Sequence, residues 1–277
     1  MSLFAIPFPA IDPIAIEIGP FAVRWYALAY IGGILAGWWY ALRLVSNQRL
    51  WGPAGSPLTP KHVDDFLLFA TVGLILGGRL GFVFFYQPDH YLANPGDILK
   101  VWEGGMAFHG GFIGFLLAVG LFSWWRNISP FSLGDICGAV VPIGLFFGRL
   151  ANFANGELWG RVSDVPWAMV FPGAGDEPRH PSQLYQACLE GVLLFIALRI
   201  VTHHLLGLRR PGVASGVFIA GYGLARIIGE QFRQPDAYIG FLWGGLTMGI
   251  LLSVPMVMLG VGIAVWAWNR PPRTVAE

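Results

Sequence analysis

The chain of 277 residues is 55% hydrophobic and only 12% charged, with a formal net charge of +1. That leaves too little polar surface for a water-soluble globule, and a near-neutral chain without a basic tract has no electrostatic footprint for nucleic acid, so both classes are excluded. The composition is that of a membrane protein, whose spanning segments must satisfy their own backbone hydrogen bonds and are therefore helical at these lengths.

Residues 1–20 carry no basic region ahead of the first long apolar run, so no cleavable signal is expected. The first span is expected at 21–43, with Arg24, Trp25 and Tyr26 at its edge. Tyr26 there is either an interfacial anchor or a hydroxyl aimed inward. Gly52–Pro60, with three prolines, reads as a turn region. The second span, 64–86, opens on Asp64 and Asp65 and holds Arg79, a charge that marks it as a functional candidate. Pro88–Gly105 reads as a loop containing a short interfacial helix. The third span, 106–125, begins near Phe108-His109-Gly110-Gly111, where the two glycines are expected to leave the imidazole open to another group. A histidine in that setting favours function over a purely structural role.

The fourth span, 132–152, runs into the fourteen residues Gly148–Arg161, GRLANFANGELWGR. A charge at the bilayer centre costs roughly 2.5 kcal/mol or more, so Arg149, Asn152, Asn155, Glu157 and Arg161 are expected to face a polar cavity. A loop region over 153–181 leads to the fifth span, 183–203, introduced by Arg179-His180-Pro181-Ser182. Ser182 or a neighbour is suited to cap that helix, and the same terminus would attract an anion. The sixth span, 213–232, places Arg226 and Glu230 on one face with Arg233 a turn further on, followed by Pro235 and Asp236. These charges either neutralise one another or line a cavity. The seventh span is expected at 243–268.

The expected fold is thus an all-α polytopic membrane protein of about seven transmembrane helices around a polar cavity, with a small extracytoplasmic head formed by loops. It is read as one domain over 1–277 that includes the loop region 153–181. Basic residues concentrate in one set of connections (Arg43, Arg49, Lys61, Arg126, Arg209, Arg210, Arg270, Arg273), which places the C-terminus in the cytoplasm and, after seven crossings, the N-terminus and the polar cluster outside. Gly73, Gly77, Gly78, Gly81, Gly216, Gly221 and Gly223 read as packing positions. Trp25, Trp102, Trp124, Trp125, Trp243, Trp266 and Trp268, at span ends, read as interfacial belts. Cys137 and Cys188 fall inside spans, where buried thiols are poor nucleophiles, and read as packing residues. No motif calls for a metal or a cofactor.

Several arginines with a histidine, a tyrosine and asparagines, and no nucleophile of their own, suit the grip of a phosphate, and the phosphate at that depth is a phospholipid headgroup. Transfer from a phospholipid, with histidine as base, is the reaction this points to. An anion transporter is the rival; it predicts polar groups at both faces, whereas the inward half of the spans reads as plain. An intramembrane protease using Ser182 or Ser215 lacks a nucleophile elbow.

GRLANFANGELWG closely resembles the signature of the bacterial prolipoprotein diacylglyceryl transferase family. The segments HGGFIG from His109, HPSQLY from His180, Arg226 to Asp236 and Trp25-Tyr26 resemble that family's other motifs, so the likeness runs along the whole chain. Ala151, Ala154 and Gln186 depart from its usual residues without removing a charged motif position. The resemblance implies transfer of the diacylglyceryl group of phosphatidylglycerol to the lipobox cysteine thiol of preprolipoproteins. It implies that a thioether forms and glycerol phosphate is released at the bacterial cytoplasmic (inner) membrane, as the first step of lipoprotein maturation. It implies that Arg149 and Arg226 hold the phosphate and that His109 or Tyr26 is the base. Asn152 and Asn155 would orient the headgroup, Glu157 and Glu230 would position arginines, Gly160 would allow a tight turn, and Arg233 would join the binding set.

Overall fold

The computed structural model describes residues 6–9, 12, 14–19, 21–234, 242 and 246–273. Among the described residues, seven helices are long and apolar enough to cross a membrane: α1 (Trp25–Ser46), α2 (Pro60–Phe85), α3 (Phe108–Arg126), α4 (Pro130–Ala154), α5 (Ser182–His204), α6 (Val213–Glu230) and α7 (Met248–Trp268). The protein is a polytopic, mostly helical membrane protein, as the apolar runs predict. Pro235, Asp236, Trp243 and the expected start of the last span lie outside the described residues.

Where helix starts differ from expectation, local chemistry moves them. The first four residues of the first expected span pair instead as β3 (Phe21–Arg24) with β2 (Ile14–Ile18) in an antiparallel hairpin, turned at Gly19 with φ 59°. A two-residue hairpin needs that left-handed backbone, and the hairpin delays α1 to Trp25. α2 starts at Pro60 because Thr59 and His62 form a capping box, each side chain taking the other's backbone N–H at 3.3 Å. The head is not made of loops alone: β1 (Ile6–Pro7) pairs in parallel with β4 (Met169–Val170), and Phe8 stacks 5.3 Å from both Phe153 and Phe171.

The chain divides into two compact units, residues 1–54 with 135–277, and residues 55–134. In the second unit, Gly73, Gly77 and Gly81 of α2 meet Gly110, Gly114 and Ala118 of α3. A Cβ added at Gly114 would lie 2.0 Å from the Gly73 carbonyl oxygen, and one at Gly77 would lie 2.3 Å from that of Gly110. Lipid offers no hydrophobic drive for helix association, so this backbone contact holds the pair. Gly110 therefore serves α2–α3 packing rather than opening space beside His109. Gly114→Val is expected to destabilise the protein by about 1–3 kcal/mol, since both backbones must part; a thermal melt in detergent equal to that of the parent would refute the contact.

Arg79, flagged as functional by its charge, has a local structural task. It is buried, and it donates through Nε to Ile98 O (2.9 Å), through Nη1 to Gly104 O (2.6 Å) and Gly105 O (3.2 Å), and through Nη2 to Asp97 O (2.5 Å). The guanidinium thereby pins the segment between α2 and α3, which contains a helix at Pro88–Ala93 and two 3₁₀ turns. A charge in a membrane helix signals a polar partner, and here the partner is backbone.

In the first unit α6 and α7 pack through Gly216, Ala220, Gly260 and Ala264, with a Cβ at Gly260 falling 2.3 Å from Ala220 N. α5 is regular only in part, with π-helical turns over Ala187–Leu193 and Ile200–His204. The inward half of the spans is less plain than expected. Asp135, fully buried near the start of α4, accepts from Gly212 N (2.8 Å), Ser215 N (2.7 Å) and Ser215 Oγ (2.8 Å). It caps the N-terminus of α6 from another helix, where a carboxylate is favoured. Ser215 is thus a capping partner, not a protease nucleophile. Cys137 is half-buried in α4, whereas Cys188 is exposed on α5; both are unpaired.

Candidate functional site

Three helices of the first unit converge on buried charge. Arg149, near the C-terminal end of α4, donates Nε and Nη2 to the same oxygen, Glu190 Oε2, at 3.0 and 2.9 Å. Glu190 lies on α5 and is fully buried. Both donors face one carboxylate oxygen, so the other edge of the fork, Nη1, is left for another acceptor. On α6, Arg226 Nη2 stands 3.0 Å from Glu230 Oε2, four residues along. Tyr222, a turn before Arg226, lies within electrostatic reach of Glu190, Arg149, Arg226 and Arg233, which draws the two ion pairs into one neighbourhood.

That neighbourhood is polar and incompletely satisfied. Gln183 Oε1, Gln186 Nε2, Glu190 Oε1 and Arg226 Nη1 are buried without a hydrogen-bond partner among the described residues. A buried polar atom left unpaired costs about 1–3 kcal/mol, so four together mark a site suited to a ligand that supplies donors and acceptors. Gln186 packs against Gly229, where an added Cβ would meet its Cγ at 3.4 Å, and Gly249 of α7 leaves room for the Glu230 carboxylate, 2.8 Å from such a Cβ.

The loop after α4 is held by its own side chains. Glu157 Oε1 accepts Asn152 Nδ2 at 2.9 Å and Asn155 Nδ2 at 3.4 Å, and Gln183 Nε2 donates to Glu157 O at 2.6 Å. Glu157 was expected to position an arginine; it organises the two asparagines instead, because its turn brings those amides back onto it. The carboxylate that holds Arg149 is Glu190. Ser182 does not cap α5 either, since Pro181 is the N-cap residue and Ser182 Oγ donates to Leu158 O at 3.0 Å.

Gly160 is needed for close approach, not for a tight turn. Its N–H donates to His180 O (2.9 Å) and it bridges to Arg233, so that an added Cβ would sit 2.5 Å from Phe232 O and 2.6 Å from His180 O. Beside it, Arg161 donates Nε to Arg233 O (2.9 Å) and Nη2 to Glu230 O (3.1 Å). A cation on the last carbonyl of α6 and on one just beyond it satisfies both and suits the helix dipole.

Tyr26, at the start of α1, donates to Tyr30 Oη at 3.1 Å and feels the charge of Glu157; Tyr30 Oη in turn lies 4.0 Å from a Cβ placed on Gly148. His109 stands exposed in the first turn of α3, in the second unit, with the Phe108 ring 5.7 Å away. His180 joins neither ion pair. The Tyr185 hydroxyl accepts from Trp167 Nε1 (2.6 Å) and shares a hydrogen bond with His180 Nδ1 at 3.1 Å. Burial pushes the His180 pKa down, against a smaller upward pull from Asp164. The unfolded chain therefore binds the proton more tightly, and stability falls as pH drops through and below the ordinary histidine value of about 6.5. Melting midpoints measured from pH 7 to pH 5 are expected to fall more for the parent than for His180→Asn.

Seven spanning helices, three of them converging on buried ion pairs, define a polytopic integral membrane protein with an intramembrane polar centre. Residues 13–266 match the family described as prolipoprotein diacylglyceryl transferase. The chain belongs to this family. It is 57% identical over 272 residues to the phosphatidylglycerol–prolipoprotein diacylglyceryl transferase of Rhodopseudomonas palustris, covering 98% of this chain and 94% of that one. It is also 56% identical to the protein of the same description from Bradyrhizobium diazoefficiens (99% and 98% covered) and 54% identical to that of Rhodospirillum rubrum (99% and 98%).

Proposed function

We infer that the chain catalyses the first step of lipoprotein maturation, transferring the diacylglyceryl group of phosphatidylglycerol to prolipoprotein. The acceptor is the lipobox cysteine thiol. Its sulfur attacks C3 of the diacylglyceryl glycerol, the bond from that carbon to the phosphate oxygen breaks, and glycerol phosphate leaves with the electron pair as the thioether forms. The thiolate is the attacking species, so a base must take the thiol proton. His109 and Tyr26 are the two candidates. His109→Gln is expected to abolish transfer, with Tyr26→Phe retaining it, and the reverse pattern would assign the base to Tyr26.

What supports this reading above all is the buried Arg149–Glu190 and Arg226–Glu230 neighbourhood with guanidinium N–H groups to spare. As the C–O bond breaks, a phosphodiester monoanion becomes a monoester carrying further negative charge. Guanidinium donors already in place stabilise that charge without reorganisation. Glu190 and Glu230 keep both arginines aimed and limit the cost of holding cations in an apolar setting. Asn152, Asn155 and Glu157 fix the loop over the headgroup, and Arg233 and Gly160 tie it to the end of α6. The basic ends of the spans favour a cytoplasmic C-terminus, a periplasmic N-terminus and a site toward the periplasmic side of the bacterial inner membrane. Purified protein incubated with labelled phosphatidylglycerol and a lipobox peptide is expected to yield thioether-linked diacylglycerol on cysteine; no transfer by a folded sample would overturn the assignment.

A further inference from the structure

The end of the first unit remote from Arg149 holds a second feature with its own chemistry. An apolar groove of about 290 Å³ runs between Val201 and Leu205 of the α5 end, Val217 of α6, and Ala264, Val265 and Trp268 of α7. Leu205, Val265 and Trp268 are exposed at its mouth. Thirteen residue steps of α6 separate Val217 from Glu230, about 20 Å along the axis, so the groove is distinct from the ion-pair site.

Its rim is basic. Arg210 donates Nε to Arg270 O at 3.1 Å and holds its guanidinium 4.8 Å from the Trp268 ring, while Arg270 stacks 3.7 Å over Trp266. Arg273 N donates to Arg209 O at 2.9 Å, and Arg209 Nε and Arg273 Nη1 are buried without an acceptor among the described residues. No Asp or Glu occurs in residues 191–229 or 242–276, and Asp135, the nearby acid, has both oxygens occupied by Gly212 and Ser215. Cationic N–H groups without a counter-ion among the described residues, at the rim of an apolar trough, match a molecule with an anionic head and a hydrocarbon tail.

We propose that this groove binds one acyl chain of an anionic phospholipid whose phosphate is held by Arg210 and its arginine neighbours. A zwitterionic lipid fills the trough equally well but brings its own cation to the rim, so the arginines discriminate by charge. The proposal stands independently of the transfer reaction.

The test uses the full chain and native mass spectrometry with phosphatidylserine and phosphatidylcholine of identical acyl chains. The parent is expected to retain one phosphatidylserine about tenfold more tightly than phosphatidylcholine. Arg210→Ala, which removes a surface guanidinium, and Val265→Trp, which fills the groove mouth, are each expected to weaken that adduct about tenfold. Equal retention of the two lipids by the parent, or unchanged retention by Arg210→Ala, would overturn the proposal. So would a shift from dimer to monomer in Val265→Trp with lipid retention unaltered, which would make the groove an interface between copies.

Discussion

Arg149→Ala is expected to lower transfer at least about a hundredfold, the loss seen when a donor to developing negative charge is removed. The substitution also strands Glu190, a fully buried carboxylate, and breaking such a pair costs about 3–5 kcal/mol. Activity alone would not separate a missing phosphate grip from a damaged fold. The double variant Arg149→Ala/Glu190→Gln removes the stranded charge, so its thermal midpoint is expected to recover toward the parent while transfer stays absent. Recovery of transfer in the double variant, or full activity in Arg149→Ala, would show that the guanidinium has no part in the chemistry. Arg149→Lys keeps the charge but loses the planar fork, and is expected to fall between the two.

Gly160→Ala should be the most damaging small change outside the ion pairs, with transfer falling tenfold or more. The methyl group would enter space bounded by Phe232 O and His180 O, and neither oxygen is free to retreat. His180 O accepts from Gly160 N while His180 N donates to Arg161 O, and Phe232 O accepts from Arg161 N. Parting these segments also draws Arg161 from the carbonyls at the end of α6, one turn from the Arg226–Glu230 pair. Overpacking of this kind costs about 1–3 kcal/mol, so the protein is expected to insert but to show faster proteolysis between residues 155 and 181. A variant with parental activity would mean that the loop does not brace the site.

The spans were legible because a run of about twenty apolar residues has few other uses. Their starts were less so: Thr59 and His62 draw α2 outward by a reciprocal cap, and a hairpin delays α1, and neither registers in hydropathy. Charge inside a helix pointed correctly to a polar partner but not to which one. Arg79 found four backbone carbonyls and Arg149 a carboxylate 41 residues away. Glu190 stands outside the motif segments, in the apolar run of α5. Its signal was present in Gln183, Gln186 and Glu190, polar residues at helical spacing in an otherwise apolar run. Asp135 was equally readable as an acid within a span, yet only the fold reveals the helix terminus it serves.

The wide turns of α5 settle how one helix can serve two ends at once. Ser182, Gln186, Glu190, Leu194, Leu198 and Thr202 are all buried, an unbroken series at intervals of four. On a regular α-helix each such interval overshoots by about 40°, so five of them would carry the last member to the opposite side. The π-helical stretches unwind the helix enough to keep the series in line, polar where it meets Arg149 and largely apolar beyond. The helix thus keeps a single phase along its length, and losing one residue from its middle would put its two halves out of step.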